Sequence, residues 1–172
     1  MNSRLKRSLP VIALLAGFLA ASLWPGEVTT VILVRHAEKS ATPPDDPLLS
    51  SLGSMRAIAL AGMLQEAGID VIIASQFQRT RATVAPLATA LDLEPVIIPA
   101  NEQGRLIAAI RSAYRGKTVL ISGHSNTVPS IMADLGIASP PEISEQQYDN
   151  MFIVTLHHGI MRSTARMTAL QF

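Results

Sequence analysis

Four short, nearly unbroken runs of β-branched and aliphatic residues, VTTVILV (28–34), DVIIAS (70–75), PVIIPA (95–100) and TVLISG (118–123), are each followed by a longer helix-compatible stretch. A strand with no polar alternation has no face to offer water, so such runs belong in a parallel sheet covered by helices on both sides. The helical stretches fall at about Ser51 to Ala67, Gln78 to Leu91, Glu102 to Tyr114 and Asn126 to Leu135, with Gly68, Gly116 and Gly136 where helix C-termini are expected. A fifth run, MFIVTLHH (151–158), and a sixth, IMRSTARMT (160–168), read as an antiparallel edge joined by a tight turn at Gly159. The expected architecture is a three-layer α/β/α domain around a mostly parallel sheet of about five or six strands. At 172 residues the chain suits one domain with a substantial core, and no internal repeat or low-complexity tract divides it.

The domain is expected to occupy residues 28–172, because residues 1–27 have a different character. Arg4, Lys6 and Arg7 precede VIALLAGFLAASLW, about 14 apolar or small residues in a row, which end at Pro25 and Gly26. A spanning helix wants roughly 20 apolar residues and a signal-peptide core roughly 7–15. The length favours a cleaved signal, with Ala20 and Ser22 as small residues for the cut, over an N-terminal membrane anchor. Either way the basic flank stays inside and the domain is exported. This segment also accounts for a composition that is 48% hydrophobic and only 16% charged.

There is no cysteine, hence no disulfide framework and no thiolate chemistry. The formal charge of +1 loses the three cations of the leader if that is removed, leaving a mildly acidic domain with no basic patch for nucleic acid.

Ligands of open parallel sheets bind outside the carboxyl ends of the strands. The residues there are Arg35-His36, Ser75 followed by Arg79, Asn101-Glu102, and Gly123-His124-Ser125-Asn126. This set holds two histidines, two arginines and one carboxylate, with no serine in a nucleophile elbow and too few clustered carboxylates or histidines for a hydrolytic metal. No metal or other cofactor is expected. A guanidinium fork stays charged at any working pH and bonds tetrahedral oxyanions bidentately, so two arginines point to phosphate. A neutral imidazole beside that phosphorus can attack it, giving a phosphohistidine that water resolves.

VRHAEK (34–39), SQFQRTRAT (75–83) and ISGHSNTVP (121–129), with DPLLSSLGSMRA (46–57), resemble the sequence blocks of the histidine phosphatase superfamily, in its phosphoglycerate-mutase-like branch. The likeness spans nearly everything after Val28. It implies the phosphoglycerate-mutase-like fold, His36 as the phosphorylated nucleophile, Arg35 and Arg79 on the phosphoryl oxygens, and His124 stabilising the group in transfer. It also implies that the general acid lies in the loop after the third strand, where Glu102 stands. NEQGR (101–105) departs from the family's glutamate-and-glycine signature, however. The alternatives are that Asn101 caps a helix with Glu102 in its first turn, and that Asp46 in the loop 40–50 is the acid.

Ser125 is expected to donate to phosphate, as Ser75 and Asn126 also can, with local turn or capping roles as the alternative. Arg79 and Arg81 are two apart and cannot share a helix face; the resemblance to the family's second block selects Arg79 for the pocket and so implies that Arg81 lies in solvent. Glu38 either assists the site or forms a salt bridge nearby. His157 and His158, adjacent on a strand, face opposite ways and suit a surface hairpin better than a metal. Met55 and Met63 have near-helical spacing and read as core. The Pro-rich stretches 40–50 and 137–144 read as loops that frame the site.

The expected activity is metal-independent hydrolysis of a phosphomonoester, a small molecule or glycolipid of the periplasm or cell envelope. The alternatives are a phosphate-recognising domain with little turnover and a phosphohistidine-protein phosphatase.

Overall fold

The structure, a computed structural model, describes residues 27–159 and 163–172. The expected leader, its cleavage site and part of the turn after Gly159 lie outside these residues. Six strands form one sheet: β1 (Glu27–Arg35), β2 (Val71–Ala74), β3 (Val96–Ile97), β4 (Thr118–Gly123), β5 (Asn150–His158) and β6 (Ser163–Gln171). Four helices connect them: α1 (Ser51–Leu64), α2 (Gln78–Leu91), α3 (Gln103–Arg111) and α4 (Thr127–Leu135). The strand order is β3-β2-β4-β1-β5-β6, with the first four parallel and β5 antiparallel to both β1 and β6.

Alternation along β1 builds the three layers. Val31 and Leu33 join α3 and α4 in one core, through Leu106, Ile110, Val128 and Met132. Ile32 and Val34 join α1 and α2 in the other, through Leu60, Leu64, Val84 and Leu87. Both faces of β1 are therefore dry, as its unbroken aliphatic sequence requires.

The ends of elements differ from expectation where tertiary contacts decide them. β3 keeps two residues of the expected 95–100 because it is an edge strand bounded by Pro95 and Pro99, which have no N–H for a ladder. α1 stops at Leu64 and α3 at Arg111, each a few residues early. β6 runs to Gln171, later than the expected 160–168. The positive φ of Gly68, Gly116 and Gly136 places each glycine where a chain reverses after a helix.

Met55 and Met63 are corrected: they are 60% and 47% exposed. α1 buries Gly53, Ala57, Leu60, Ala61 and Leu64, and the methionines lie on its other face. Gly53 fixes how α1 docks. Its α-carbon rides so close to the Glu38 carbonyl that an added Cβ would collide with that backbone oxygen. The same carbonyl accepts a hydrogen bond from Ser50 N at 2.8 Å, and the Ser50 hydroxyl caps Gly53 N at 3.1 Å. Gly53→Ala is expected to cost about 2–3 kcal/mol of stability by forcing α1 off this loop. Urea unfolding measures it, and an unchanged midpoint would mean the helix is free to lift.

Candidate active site

β1 and β4 are neighbours, with Arg35 opposite Gly123, so the residues that follow them leave the sheet side by side. His36 N donates to Gly123 O at 2.9 Å, and His124 N donates to Thr127 Oγ1 at 2.9 Å. Gly123 leaves the space that Thr127 Oγ1 and Val128 occupy, where a Cβ would stand 2.9 Å from that hydroxyl. The two imidazoles meet edge to face with centroids 5.4 Å apart. Both are buried, at 4% and 8% exposure.

The ring nitrogens can be assigned from their partners. His36 Nδ1 lies 2.8 Å from Ala37 O, and a carbonyl only accepts, so Nδ1 carries the hydrogen and Nε2 of the neutral ring carries the lone pair. Around His124 the reasoning runs through two hydroxyls. Thr80 gives its hydrogen to the carbonyls of Phe77 and Ser75, at 2.8 and 3.1 Å. The 2.8 Å contact between Ser75 and Thr80 is then donated by Ser75. Ser75, its hydrogen committed, accepts from His124 Nε2 at 3.0 Å. His124 thus has a fixed Nε2–H, and its Nδ1 is free to face a ligand.

Burial holds the pKa of His36 down to about 4 against the opposing pull of the Ala37 carbonyl, with His124, Arg35 and Arg79 adding to the depression. Burial likewise lowers His124 to about 4, aided by Arg79 and Arg35 and opposed by Glu145. Both rings are neutral at pH 7, the state in which an imidazole can be a nucleophile.

The arginines are positioned from outside the strands that lead to them. Arg35, 2% exposed, is gripped by the segment before β5. Its Nη1 donates to Ser144 O and Gln147 O at 2.7 and 3.0 Å, and its Nη2 to Glu145 Oε2 at 2.8 Å. The Tyr148 ring lies 4.2 Å from its guanidinium carbon. Arg79 lies over Phe77, 4.3 Å from the ring centroid, with Nη1 3.7 Å from Asp46 Oδ1. Among the described residues, Nε of both arginines is buried without a partner. A buried donor left so costs on the order of 1–3 kcal/mol, the pattern of a site awaiting an anion.

Arg35, His36, Arg79, His124 and Ser125 line one open cleft of about 450 Å³, together with Asn101 and Asn126. The two candidate acids stand elsewhere. Glu102 is the N-cap residue of α3, outside the cleft lining, and accepts from Arg105 Nη1 at 2.9 Å. Asp46 caps α2, accepting from Gln78 N at 2.9 Å. Glu38 resolves as a structural partner of Arg56, whose Nε and Nη2 reach its carboxylate at 2.7–3.0 Å. Burial, the largest single influence, works against its charge, but the Arg56 hydrogen bond, a backbone hydrogen bond and the charges of Arg56 and Arg35 together outweigh it and hold it below the usual carboxylate range. Arg81 is exposed. His157 is exposed, while His158 faces Thr29 Oγ1 at 2.7 Å.

Sequence reasoning missed Glu145 and Tyr148. The signal for Glu145 was indirect: a cation buried at a strand end needs an anion, and Glu145 directly follows the loop 137–144 marked as framing the site. Thr83, within the second block, bonds Ala37 N to its Oγ1 at 2.9 Å and donates to Arg79 O at 2.8 Å. It thereby ties the loop after β1 to the helix carrying Arg79.

The fold and cleft define a class of α/β protein that sets a paired-histidine, paired-arginine site at the carboxyl edge of its sheet. The family description "Histidine phosphatase superfamily (branch 1)" matches residues 31–102. Over that stretch the chain is similar to this superfamily. Among solved structures it is similar to the protein histidine phosphatase SixA complexed with tungstate, at TM-score 0.63 and 18% identity, over 83% of this chain and 96% of that one. It is also similar to a mycobacterial glucosyl-3-phosphoglycerate phosphatase, at TM-score 0.68 and 14% identity, over 84% and 99%. A complex of the latter enzyme with inorganic phosphate matches at TM-score 0.67 and 14% identity, over 83% and 97%. At such identities these likenesses establish the fold. No curated protein matches the sequence.

Proposed function

We propose that the chain hydrolyses phosphomonoesters without a metal, through a phosphohistidine on His36 Nε2. The observation that carries this reading is the fixed tautomer of His36, whose lone pair belongs to the same cleft as Arg35, Arg79 and His124. His36 Nε2 attacks phosphorus as the ester P–O bond breaks, and the leaving oxygen takes a proton. Water then attacks the phosphoryl group, the P–N bond breaks, and orthophosphate leaves with His36 restored. The arginines stabilise charge on the equatorial oxygens, which is most of what a protein contributes to phosphoryl transfer, and His124 joins them when the bound anion draws a proton onto its Nδ1.

Glu102, next to the lining residue Asn101, is our candidate for the proton donor, released from Arg105 when substrate enters. Glu102→Gln is expected to lower kcat on alkyl phosphates by about 10²–10³-fold and to spare p-nitrophenyl phosphate, whose leaving group needs no proton. Equal losses on both would remove Glu102 from that role.

The proposed substrates are phosphorylated sugars or glycolipids of the envelope, met in the periplasm or on the periplasmic face of the inner membrane. The basic and apolar segment 4–24 supports export, and the likeness to a phosphatase named for a glucosylated phosphoglycerate supports the substrate class. The likeness to SixA favours a second reading, a phosphohistidine-protein phosphatase. A phosphoester panel that includes a phosphohistidine peptide, run with EDTA, tests both readings. Turnover of sugar phosphates in EDTA is expected. Turnover of the peptide alone would favour the second reading, and phosphate binding without any turnover would leave a recognition domain.

A further inference from the structure

Two donors proposed here to hold phosphate already hold an anion. Glu145 Oε2 accepts from Arg35 Nη2 at 2.8 Å, and Glu145 Oε1 accepts from Ser125 Oγ at 2.5 Å. The carboxylate thus spreads its two oxygens across the floor donor and the rim donor of the cleft it lines. That is how two oxygens of a phosphoryl group would be received.

The three contacts from this segment to Arg35 differ in kind. Ser144 O and Gln147 O hold Nη1 by backbone. Glu145 holds Nη2 by a side chain that is 68% exposed, so it can turn into solvent without moving the backbone or baring the other nitrogen. The Ser125 hydrogen bond, followed by the charge of Arg35, holds its carboxyl below the usual range, so it is an anion at neutral pH.

We propose that Glu145 is an internal competitor for the phosphate position, exchanging with the phosphoryl group at Arg35 and Ser125 in each turnover. This rests on the cleft being the phosphate site. Substrate displaces the carboxylate, and the returning carboxylate displaces orthophosphate. Glu145 therefore weakens binding of any bare phosphate and leaves selection to contacts with the rest of the substrate. An exchange of one anion for another also avoids leaving Arg35, buried as it is, without a counter-charge when product departs.

Calorimetric titration of the full chain with inorganic phosphate, beside product inhibition by phosphate, tests this with wild type, Glu145→Gln and Glu145→Ala. Gln keeps the size and one acceptor but loses the charge. Both variants are expected to bind phosphate about tenfold tighter and to show a correspondingly lower inhibition constant, a modest gain because the displaced pair is half in solvent. Binding that is unchanged or weaker in both variants, with wild type binding phosphate, overturns the exchange and leaves the phosphatase reading standing. Loss of kcat on alkyl but not aryl phosphates, without tighter phosphate binding, would make Glu145 a proton donor instead. Failure of all three proteins to bind phosphate or vanadate would overturn the phosphate site and the exchange together.

Discussion

His36→Ala is expected to lower kcat on p-nitrophenyl phosphate by at least about 10⁴-fold while the protein stays folded and still binds phosphate. Removing a nucleophile removes the reaction path, and the binding groups left behind sustain only residual rates. Arg35 and Arg79 are untouched by the substitution, so vanadate or phosphate should still bind. A variant that loses binding and folding with activity would show a structural histidine instead. The distinction is needed because His36 is buried and hydrogen-bonded, which a core histidine would also be.

Acid should destabilise the fold earlier than its carboxylates alone require. His36 and His124 have folded pKa values held near 4, below the ordinary 6.5, chiefly by burial. A group whose native pKa is depressed binds fewer protons folded than unfolded. Stability is therefore complete above pH 6.5 and falls as pH drops towards 4, below which both states are protonated. Between pH 7 and 4.5 the two rings together should cost about 3–5 kcal/mol. Urea midpoints across this range measure the slope, and His36→Gln with His124→Gln should flatten it. The same slope in the double variant would mean that carboxylates cause it.

Much of the fold was legible because burial wrote it into single segments. The runs 28–34 and 118–123 carry no polar alternation, and they form the central pair β1 and β4. Those strands deliver His36 and His124 together, so the pairing of the two histidines followed from position alone. α1 was legible as a helix but not by face. SLGSMRAIALAGML is apolar nearly all round, so spacing alone could not tell that small residues face the sheet and that Met55 and Met63 face out. β3 shrank because its place at the edge is a property of the whole sheet.

What the sequence hid in the site is long-range. Glu145 lies 110 residues from Arg35, in a segment with no helical or strand pattern, and nothing local marks its carboxylate as the one that meets the arginine. The family resemblance points to Glu102 as the acid, in the loop after the third strand, with Asp46 in the loop 40–50 as the alternative. Asp46 caps α2 and Glu102 pairs with Arg105, engagements that only a three-dimensional structure reveals.

The most direct test of His36 is to quench wild-type protein during turnover of a phosphomonoester and locate the phosphoryl group by mass spectrometry. The account predicts an acid-labile, base-stable phosphoryl group on His36, absent from His124 and from His36→Ala. Rapid turnover by wild type with no phosphoryl group on His36, matched by full activity in His36→Ala, would contradict it.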